Sequence, residues 1–307
     1  MRFSTLILSW QRPAETIAAV ESVERQDYQD REIIVWDNGS PAACQAELQQ
    51  ALGRRCGVKL ILAGRNYGPS LGRNLAAREA RGEALLFLDS DAELVGSKAL
   101  TRLAWGLSRF PDAGALNLEI RTPTGSVCWP FARPRATWGR SVFDIAHIDG
   151  CGVCFRRRAF DQAGGFPAHF GYGAEEQYLA RCCIAAGWRV LYFPEAAVVH
   201  KRVPAGRTPD QFVTMLRNHL WIPLELYPLP WALASILKTA LFFLRDAWRE
   251  RRLREYPRGL YAGLVGFRLS RRRPIRRDRW RYLRHILTED RRLSQRPHAF
   301  PRAAGTP

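Results

Sequence analysis

Short apolar runs and amphipathic stretches alternate along the first two hundred residues of the chain. Apolar runs of about five residues bounded by polar, Gly or Pro positions are typical of strands, and apolar positions three and four apart are typical of helices. The alternation predicts an α/β fold, with a mostly parallel central sheet flanked by helices. The predicted strands are Thr5–Ser9, Glu32–Trp36, Val58–Leu62, Ala84–Leu88 and Gly152–Phe155, with further strands around Val190 and Val198. The predicted helices are Ala14–Arg25, Ala42–Leu52, Pro69–Arg81 and Ala174–Ala186.

From Thr208 the sequence becomes aromatic, Leu-rich and basic. Apolar residues between Trp231 and Trp248 recur at helical spacing and form one broad apolar face. The run Leu229–Leu244 contains Lys238 and is shorter than the roughly 20 apolar residues that a spanning helix needs. We therefore expect a helix that lies in a membrane interface. We therefore divide the chain into two parts. The first domain covers 1–204, with halves of about 1–110 and 111–204, and a helical, basic, membrane-associating region covers 205–307.

Positive charge is concentrated in the C-terminal region. Residues 1–204 carry 25 Lys and Arg against 21 Asp and Glu, whereas residues 205–307 carry 22 against 8. From Arg245 onward there are 19 arginines and no lysine, interleaved with aromatic residues. An anionic lipid surface, a nucleic acid or a phosphorylated acceptor could each match this charge, and a solvated basic face without a partner is the remaining alternative. Because no motif for reading bases appears beside the amphipathic helix, we expect an anionic membrane surface and no nucleic acid.

The seven cysteines and the first residues of the chain bear on location. An odd number of scattered cysteines and the absence of a secretory signal predict a reducing cytoplasm. With the interfacial helix, this places the protein on the cytoplasmic face of the membrane as a peripheral protein. Cys151 and Cys154 form a CxxC, but no second ligand pair follows at zinc-site spacing, so we expect buried thiols.

Polar clusters follow several predicted strands, where ligands bind in open parallel sheets. Asp89 and Asp91 stand two residues apart at the end of a fully apolar strand. If the strand geometry continues, both carboxylates point to the same side and could hold one hard divalent cation, Mg²⁺ or Mn²⁺. Two acidic residues at this spacing also commonly close a strand into a turn.

An ordered set of motifs gives this pair its context. The motifs are Ile7–Pro13, Val35–Ser40, Asn66–Gly68 with Gly72–Asn74, Leu86–Asp91, Phe155–Arg157 with Gly164–Phe166, the pair Glu175 and Glu176, Ala186–Trp188, and Pro194–His200. In order and spacing the set resembles glycosyltransferase family 2, and within it the rhamnosyltransferase-like branch, over about residues 3–201.

The resemblance implies a GT-A fold and a metal-assisted, inverting transfer of a sugar from a nucleotide-diphosphate donor. It further implies a glycan or lipid-linked acceptor hydroxyl and a role in cell-envelope polysaccharide synthesis. The metal ligands that it implies are Asp91, Asp89 and His200. The residues that it implies for binding the nucleotide sugar are Ser9, Arg12, Asp37, Asn38, Asn66, Gly68, Arg73, Asn74 and Asp89.

Glu175 and Glu176 match the acidic pair that supplies the family's catalytic base. A carboxylate is needed because the acceptor hydroxyl must lose its proton as it attacks the sugar. The sequence departs from the family's Glu-Asp-x-Asp pattern, with Glu176 in place of the first Asp and Tyr178 in place of the second, so which glutamate is the base stays open. A solvated helix N-terminus that favours acids is the structural alternative.

Two further functions remain open. A catalytically silent protein that binds sugar nucleotides or acts as a scaffold could keep the fold, and the Tyr178 departure is the only feature that favours it. A nucleotidyltransferase would need a site for attack on an activated phosphate, and no such site is found.

Overall fold

The computed structural model describes residues 1–127, 141–201 and 208–294, and within them a nine-stranded mixed sheet forms the centre of the molecule. Eight strands run in the order β3-β2-β1-β4-β8-β6-β9-β5, and β7 pairs with β9 beside this path. The strands are β1 Phe3–Ser9, β2 Arg31–Asp37, β3 Val58–Leu62, β4 Ala84–Asp89, β5 Ala92–Leu94, β6 Ala113–Arg121, β7 Phe143–Asp144, β8 Gly152–Arg156 and β9 Arg189–His200.

Helices cover both faces of this sheet and continue into the C-terminal region. Before residue 204 they are α1 Pro13–Glu24, α2 Ala42–Leu52, α3 Gly68–Glu79, α4 Ala99–Arg109, α5 Arg157–Ala163 and α6 Glu175–Ala185. After it come α7 Pro209–Leu226, α8 Leu229–Arg249, α9 Glu255–Val265, a short 3-10 helix Leu269–Arg271 and α10 Arg277–Ser294.

The first four strands are parallel neighbours and form the half of the sheet that sequence periodicity predicts best. β1 pairs in parallel with both β2 and β4, and β2 pairs in parallel with β3. All five residues of the predicted strand Ala84–Leu88 are buried, because helices cover both faces of β4. The α/β fold with a central sheet and covering helices is therefore confirmed.

The second half of the sheet corrects the prediction in one place. The strands expected around Val190 and Val198 are one long strand, β9, whose register against β6 shifts between the pairs Leu118 with Phe193 and Glu119 with Ala197. This irregularity at Pro194 lets one strand continue past a residue that cannot donate a ladder hydrogen bond. The buried strand β6, the helix α4 and the helix α5 were not predicted.

The C-terminal helices pack against the α/β unit. Trp221 on α7 and Trp280 and Leu283 on α10 belong to the same buried cluster as residues of the sheet. Helix α7 begins with a capping box in which Thr208 and Gln211 exchange hydrogen bonds. The division at residue 204 stays a prediction, and 128–140, 202–207 and 295–307 lie outside the described residues.

Helix α8 confirms the predicted amphipathic helix over Trp231–Trp248 and extends it slightly at both ends. Much of its apolar face is uncovered, as Leu233, Leu237 and Leu241 are each more than half exposed. In the described part of the chain, no helix combines the length and the apolar character that crossing a membrane requires.

Candidate active site

The predicted site residues at the ends of the parallel strands lie side by side. In the register of β1, Ser9 is opposite Asp37 at the end of β2, and Leu8 is opposite Asp89 at the end of β4. The carboxyl edge of the sheet therefore gathers the first three motifs, as expected for an open parallel sheet. Ser9 itself is fully buried and its hydroxyl bonds the Thr16 hydroxyl at 2.8 Å, so it anchors α1 to β1.

Asp89, Asp91 and His200 form a cluster that could hold one divalent cation. One ligand atom from each residue lies within 4.8 Å of the other two. The short strand β5 follows Asp91 directly and pairs antiparallel with β9, placing Ala92 opposite His200. This pairing brings the His200 Nε2 to 3.2 Å from the Asp91 Oδ1. Two carboxylates and an imidazole are suitable ligands for Mn²⁺, whereas Mg²⁺ would bind mainly to the carboxylate oxygens.

Positive charge around Asp91 holds its carboxylate ionised. Burial would raise the pKa of Asp91, but the hydrogen bond and charge of His200, followed by those of Arg12, lower it. Burial would lower the pKa of His200, and the bond to Asp91 and the charge of Asp89 raise it. Arg12, which is about half exposed, forms an ion pair with the Asp91 Oδ2. Arg12 thus lies at the metal cluster, where its guanidinium could also meet an anionic ligand.

Arg73 is a buried cation between the metal cluster and the acidic pair. Its guanidinium donates to the Asp89 Oδ1 at 2.8 Å and lies 3.7 Å from Glu175 and 3.8 Å from Glu176. Only 9% of its side chain is exposed. Burial would lower the pKa of Arg73, but the charges of Asp89, Glu176 and Glu175 raise it. One arginine therefore joins the two halves of the predicted site.

The acidic pair opens helix α6 directly after Ala174, whose left-handed φ of 65° turns the chain into the helix. The Glu175 side chain is 5% exposed and that of Glu176 is 23% exposed. Burial raises the pKa of both carboxyls, and the charge of Glu175 raises that of Glu176 further, so that it lies well above its ordinary value. Arg73 opposes these shifts. Glu176 is thus both more basic than an ordinary glutamate and open to a ligand.

Gly150 makes room for the Arg73 guanidinium. A Cβ atom at Gly150 would lie 2.6 Å from the Arg73 Nη2 and 2.8 Å from its Cζ, well inside normal contact distances. The preceding residue, Asp149, lies near enough to Asp89 for the two charges to interact. Burial, and then the charge of Asp89, raise the pKa of Asp149. Sequence reasoning missed both residues. The sequence feature that could have indicated them is their position just before β8. That strand pairs antiparallel with β4 and sets Gly152 opposite Leu88, next to Asp89.

The loops predicted to contact the nucleotide are held by their own polar side chains. Asp37 accepts hydrogen bonds from the Ser40 amide at 3.0 Å, the Ser40 hydroxyl at 2.5 Å and the Gln45 amide at 2.8 Å. A carboxylate has about four acceptor positions, so Asp37 keeps roughly one for a ligand. Its predicted role in base binding is compatible with this geometry.

Asn38 and Asn66 organise the next loop. The Asn38 Nδ2 donates to the Asn66 Oδ1 at 2.9 Å and to the Gly68 carbonyl at 3.3 Å, and the Asn38 Oδ1 accepts from the Tyr67 amide at 3.0 Å. Gly68, whose φ is 75°, begins α3, and a Cβ atom there would lie 3.9 Å from the Gly171 carbonyl oxygen. Asn74 exchanges two hydrogen bonds with the Phe166 backbone, at 2.8 and 2.9 Å. These side chains therefore hold the loops beside the carboxyl ends of β2 and β3, and Asn38 has used both of its donors.

Tyr178 points away from the acidic pair. Its hydroxyl donates to the buried Glu225 of α7 at 2.8 Å, and Glu225 also bonds the His169 ring at 3.0 Å. The residue that departs from the family pattern thus serves the packing of α6 on α7. Its identity consequently says nothing about whether the base is present.

The predicted buried thiols are confirmed for Cys151 and Cys154, which are both fully buried. Burial raises the pKa of Cys154 to about 12, so this thiol is not ionised at neutral pH. The pair lies among the apolar side chains on one face of the sheet.

Comparison with known proteins finds similarity to glycosyltransferases. Residues 4–116 match the family model "Glycosyl transferase family 2". The N-acetylglucosaminyl-diphospho-decaprenol L-rhamnosyltransferase of Mycobacterium tuberculosis is 27% identical over 270 residues, covering 73% of this chain and 86% of that protein. The O-antigen chain rhamnosyltransferase RfbN of Salmonella typhimurium is 29% identical over 147 residues, covering 44% of this chain and 46% of that protein.

Solved structures show the same fold. A mannosyltransferase, PcManGT from Pyrobaculum calidifontis in complex with GDP-Man and Mn²⁺, has a TM-score of 0.60 at 19% identity, covering 88% of this chain and 77% of that one. S. aureus TarS 1–349 in complex with UDP-GlcNAc has a TM-score of 0.65 at 16% identity, covering 96% and 90%. The predicted GT-A fold is confirmed. The family match and the relatives also bear out the predicted resemblance to glycosyltransferase family 2 and to its rhamnosyltransferases.

Proposed function

We propose that this protein is a family 2 glycosyltransferase that transfers a sugar, with inversion at the anomeric carbon, from a nucleotide-diphosphate donor to a hydroxyl of a glycan or lipid-linked acceptor. The observation that carries the proposal is one continuous set of side chains, in which Arg73 links the possible metal cluster to the acidic pair of α6. Relatives that act in lipid-linked and O-antigen assembly support a role in cell-envelope polysaccharide synthesis.

The possible metal cluster would hold Mg²⁺ or Mn²⁺ through Asp91, Asp89 and His200. A bound divalent ion would supply positive charge that offsets the charge developing on the departing diphosphate. Arg12 would bind the same phosphates, since its exposed guanidinium already lies at Asp91. Asp37 would use its remaining acceptor capacity on the nucleotide base. Asn38, Asn66, Gly68 and Asn74 would hold the loops that form the walls of the donor cleft.

Glu176 is the proposed catalytic base. Its side chain is the more exposed of the pair, and its pKa is raised well above the ordinary value, which makes its carboxylate a better proton acceptor. Once ionised, it would take the proton of the acceptor hydroxyl as that oxygen attacks the sugar from the face opposite the diphosphate. Glu175 is almost fully buried and would keep Arg73 oriented between the carboxylates.

The exposed face of α8 would rest on an anionic membrane surface. Its exposed leucines lie on the same helix as Lys238, Arg245 and Arg249. Apolar side chains would enter the interface while the arginines meet lipid phosphates. A lipid-linked acceptor would reach the cleft from that surface.

Asp91→Ala tests the metal-assisted transfer. A thermal-shift screen of nucleotides and sugar nucleotides, with and without Mn²⁺, first identifies the donor. With that donor, we expect Asp91→Ala or a chelator to lower the transfer rate by at least about 100-fold. Glu47→Ala, on the exposed face of α2, is the matched control and should transfer sugar at the parent's rate. Undiminished transfer by Asp91→Ala, or in the presence of the chelator, would overturn the proposal.

A further inference from the structure

A cavity of about 260 Å³ lies between α6 and the C-terminal helices α7, α8 and α10. Its lining carries three basic side chains, Arg181, Lys238 and Arg284, and no acidic residue. Within residues 1–127, 141–201 and 208–289, no ion pair joins any of the three to a carboxylate. Three cations that face one small space without a counter-charge favour an anionic ligand.

Two hydrogen-bond donors of this lining are buried without a partner among the described residues. They are the Arg181 Nε and the indole Nε1 of Trp280, a residue that is only 7% exposed. A buried donor without an acceptor destabilises the fold, so such donors commonly mark a place where a ligand supplies the acceptor. Other protein atoms cover both donors, so a phosphate oxygen in the cavity would reach them after a small side-chain movement.

An aromatic contact holds one of the cations in place. The Arg284 guanidinium lies over the Trp231 ring at 3.7 Å from its centroid, and Trp231 also lines the cavity. Stacking on an aromatic face fixes the plane of a guanidinium, which reduces the entropy lost when it binds an anion. This part of the cavity is therefore ordered before any ligand arrives.

The cavity adjoins both the acidic pair and the uncovered face of α8. Gln177, which directly follows Glu176, lines it, and Arg181 lies five residues beyond Glu176 on the same helix, about 7.5 Å along the axis. The cavity and the acidic pair therefore share helix α6, from which both could contact one extended acceptor. On the opposite side Lys238 and Trp231 line the cavity from α8, whose exposed leucines, Leu237 among them, continue away from it.

We propose that this cavity binds the diphosphate group of a lipid-linked acceptor, with the hydrocarbon chain lying along the exposed face of α8. The inference rests on the proposed transfer to such an acceptor and adds the residues that recognise it. The donor diphosphate has a different place, at the cluster of Asp89, Asp91 and His200, none of which lines the cavity. Arg181, Lys238 and Arg284 would therefore affect the acceptor and leave the donor unaffected.

Direct binding tests this site without turnover. Farnesyl diphosphate is titrated into the full chain by calorimetry in EDTA, which keeps divalent ions out of the donor cluster. We expect Lys238→Ala and Arg284→Ala each to weaken this binding roughly tenfold or more, because each removes a charged contact with the diphosphate. Arg78→Ala removes an exposed cation on α3, which does not line the cavity, and should bind like the parent. Farnesol and inorganic diphosphate serve as the other two probes.

The outcomes separate this inference from the proposed function. Equal binding of farnesyl diphosphate by the parent and both variants would overturn the site. Inorganic diphosphate that binds as tightly as farnesyl diphosphate would overturn the lipid-linked assignment, since a free anion would then be sufficient. Unchanged donor thermal shifts in the two variants, beside weakened farnesyl diphosphate binding, support the site. Loss of transfer on Asp91→Ala reports on the reaction separately.

Discussion

Replacing Arg73 by Met is the sharpest test of how the candidate site is held together. The substitution keeps an apolar stem of similar length but removes the buried cation that faces Asp89 at 2.8 Å, Glu175 at 3.7 Å and Glu176 at 3.8 Å. Removing one partner of a buried ion pair typically costs about 3 to 5 kcal/mol, because an uncompensated buried charge remains. Asp89 and Glu176 are partly solvated, so we expect about 3 kcal/mol at pH 8.

The cost should depend on pH in a defined direction. In the parent, burial raises the pKa of Glu175 and Glu176 above the values of the unfolded chain, while Arg73 lowers them. Folding therefore takes up protons, and stability falls as the pH rises through these raised pKa values. Without Arg73 both pKa values are higher still, so the variant loses stability over a wider range. The difference between the proteins should be large at pH 8 and smaller at pH 5, where a larger fraction of the two glutamates is protonated.

Urea denaturation followed by tryptophan fluorescence measures both quantities. The free energy of unfolding is compared between the parent and Arg73→Met at pH 5 and pH 8. Arg78→Met, an exposed position on the same helix, is the matched control and should stay within about 0.5 kcal/mol of the parent. A loss below about 1 kcal/mol at pH 8, or the same loss at both pH values, would refute the assigned charge coupling.

Three further predictions concern the catalytic base, the space around Arg73 and the exposed face of α8. Glu176→Gln should lower kcat by a factor of roughly 10² to 10⁴, and Glu175→Gln should lower it by a smaller factor. In the parent, kcat should fall as the pH drops through the raised pKa of Glu176, because the base must be ionised. A pH-independent rate would exclude Glu176 as the base. Gly150→Ala should lower the transfer rate and Tm, with a loss of about 1 to 3 kcal/mol in the free energy of unfolding, because the new Cβ would displace Arg73. Unchanged values of both the rate and Tm would contradict the close approach. Leu237→Glu, at a side chain that is 62% exposed, should weaken sedimentation with anionic vesicles about tenfold or more and leave Tm unchanged. Equal sedimentation, or tighter binding of the parent to RNA than to vesicles, would argue against the membrane surface.

Local sequence patterns determined the first half of the fold. Strands β1 to β4 and helices α1 to α3 match their predicted positions within a few residues, because each is an apolar run or an amphipathic stretch with its own turn residues. Strand β6 escaped prediction because its apolar run is interrupted by Asn117 and Glu119, which are buried and satisfied by tertiary contacts. The break at Pro194 likewise concealed the continuity of β9.

The ordered motifs also predicted the family resemblance, since their residues and spacings can be read along the chain. They placed Asp89, Asp91 and His200 in one predicted metal site, and the structure brings these three together as a possible site. The individual roles of the donor-binding and catalytic residues remain predictions. The direction of Tyr178 toward Glu225 could not be predicted, because its partner lies 47 positions further along the chain.

Only the tertiary structure decided how the charges of the site are combined. Arg73 lies 16 residues before Asp89 and about a hundred before the acidic pair, yet it contacts all three carboxylates because α3, β4 and α6 meet at one edge of the sheet. The basic cavity likewise needs α6, α8 and α10 to pack together. Periodicity reports which side of an element is buried, whereas the burial of a charge and its partner depend on which distant elements pack against it.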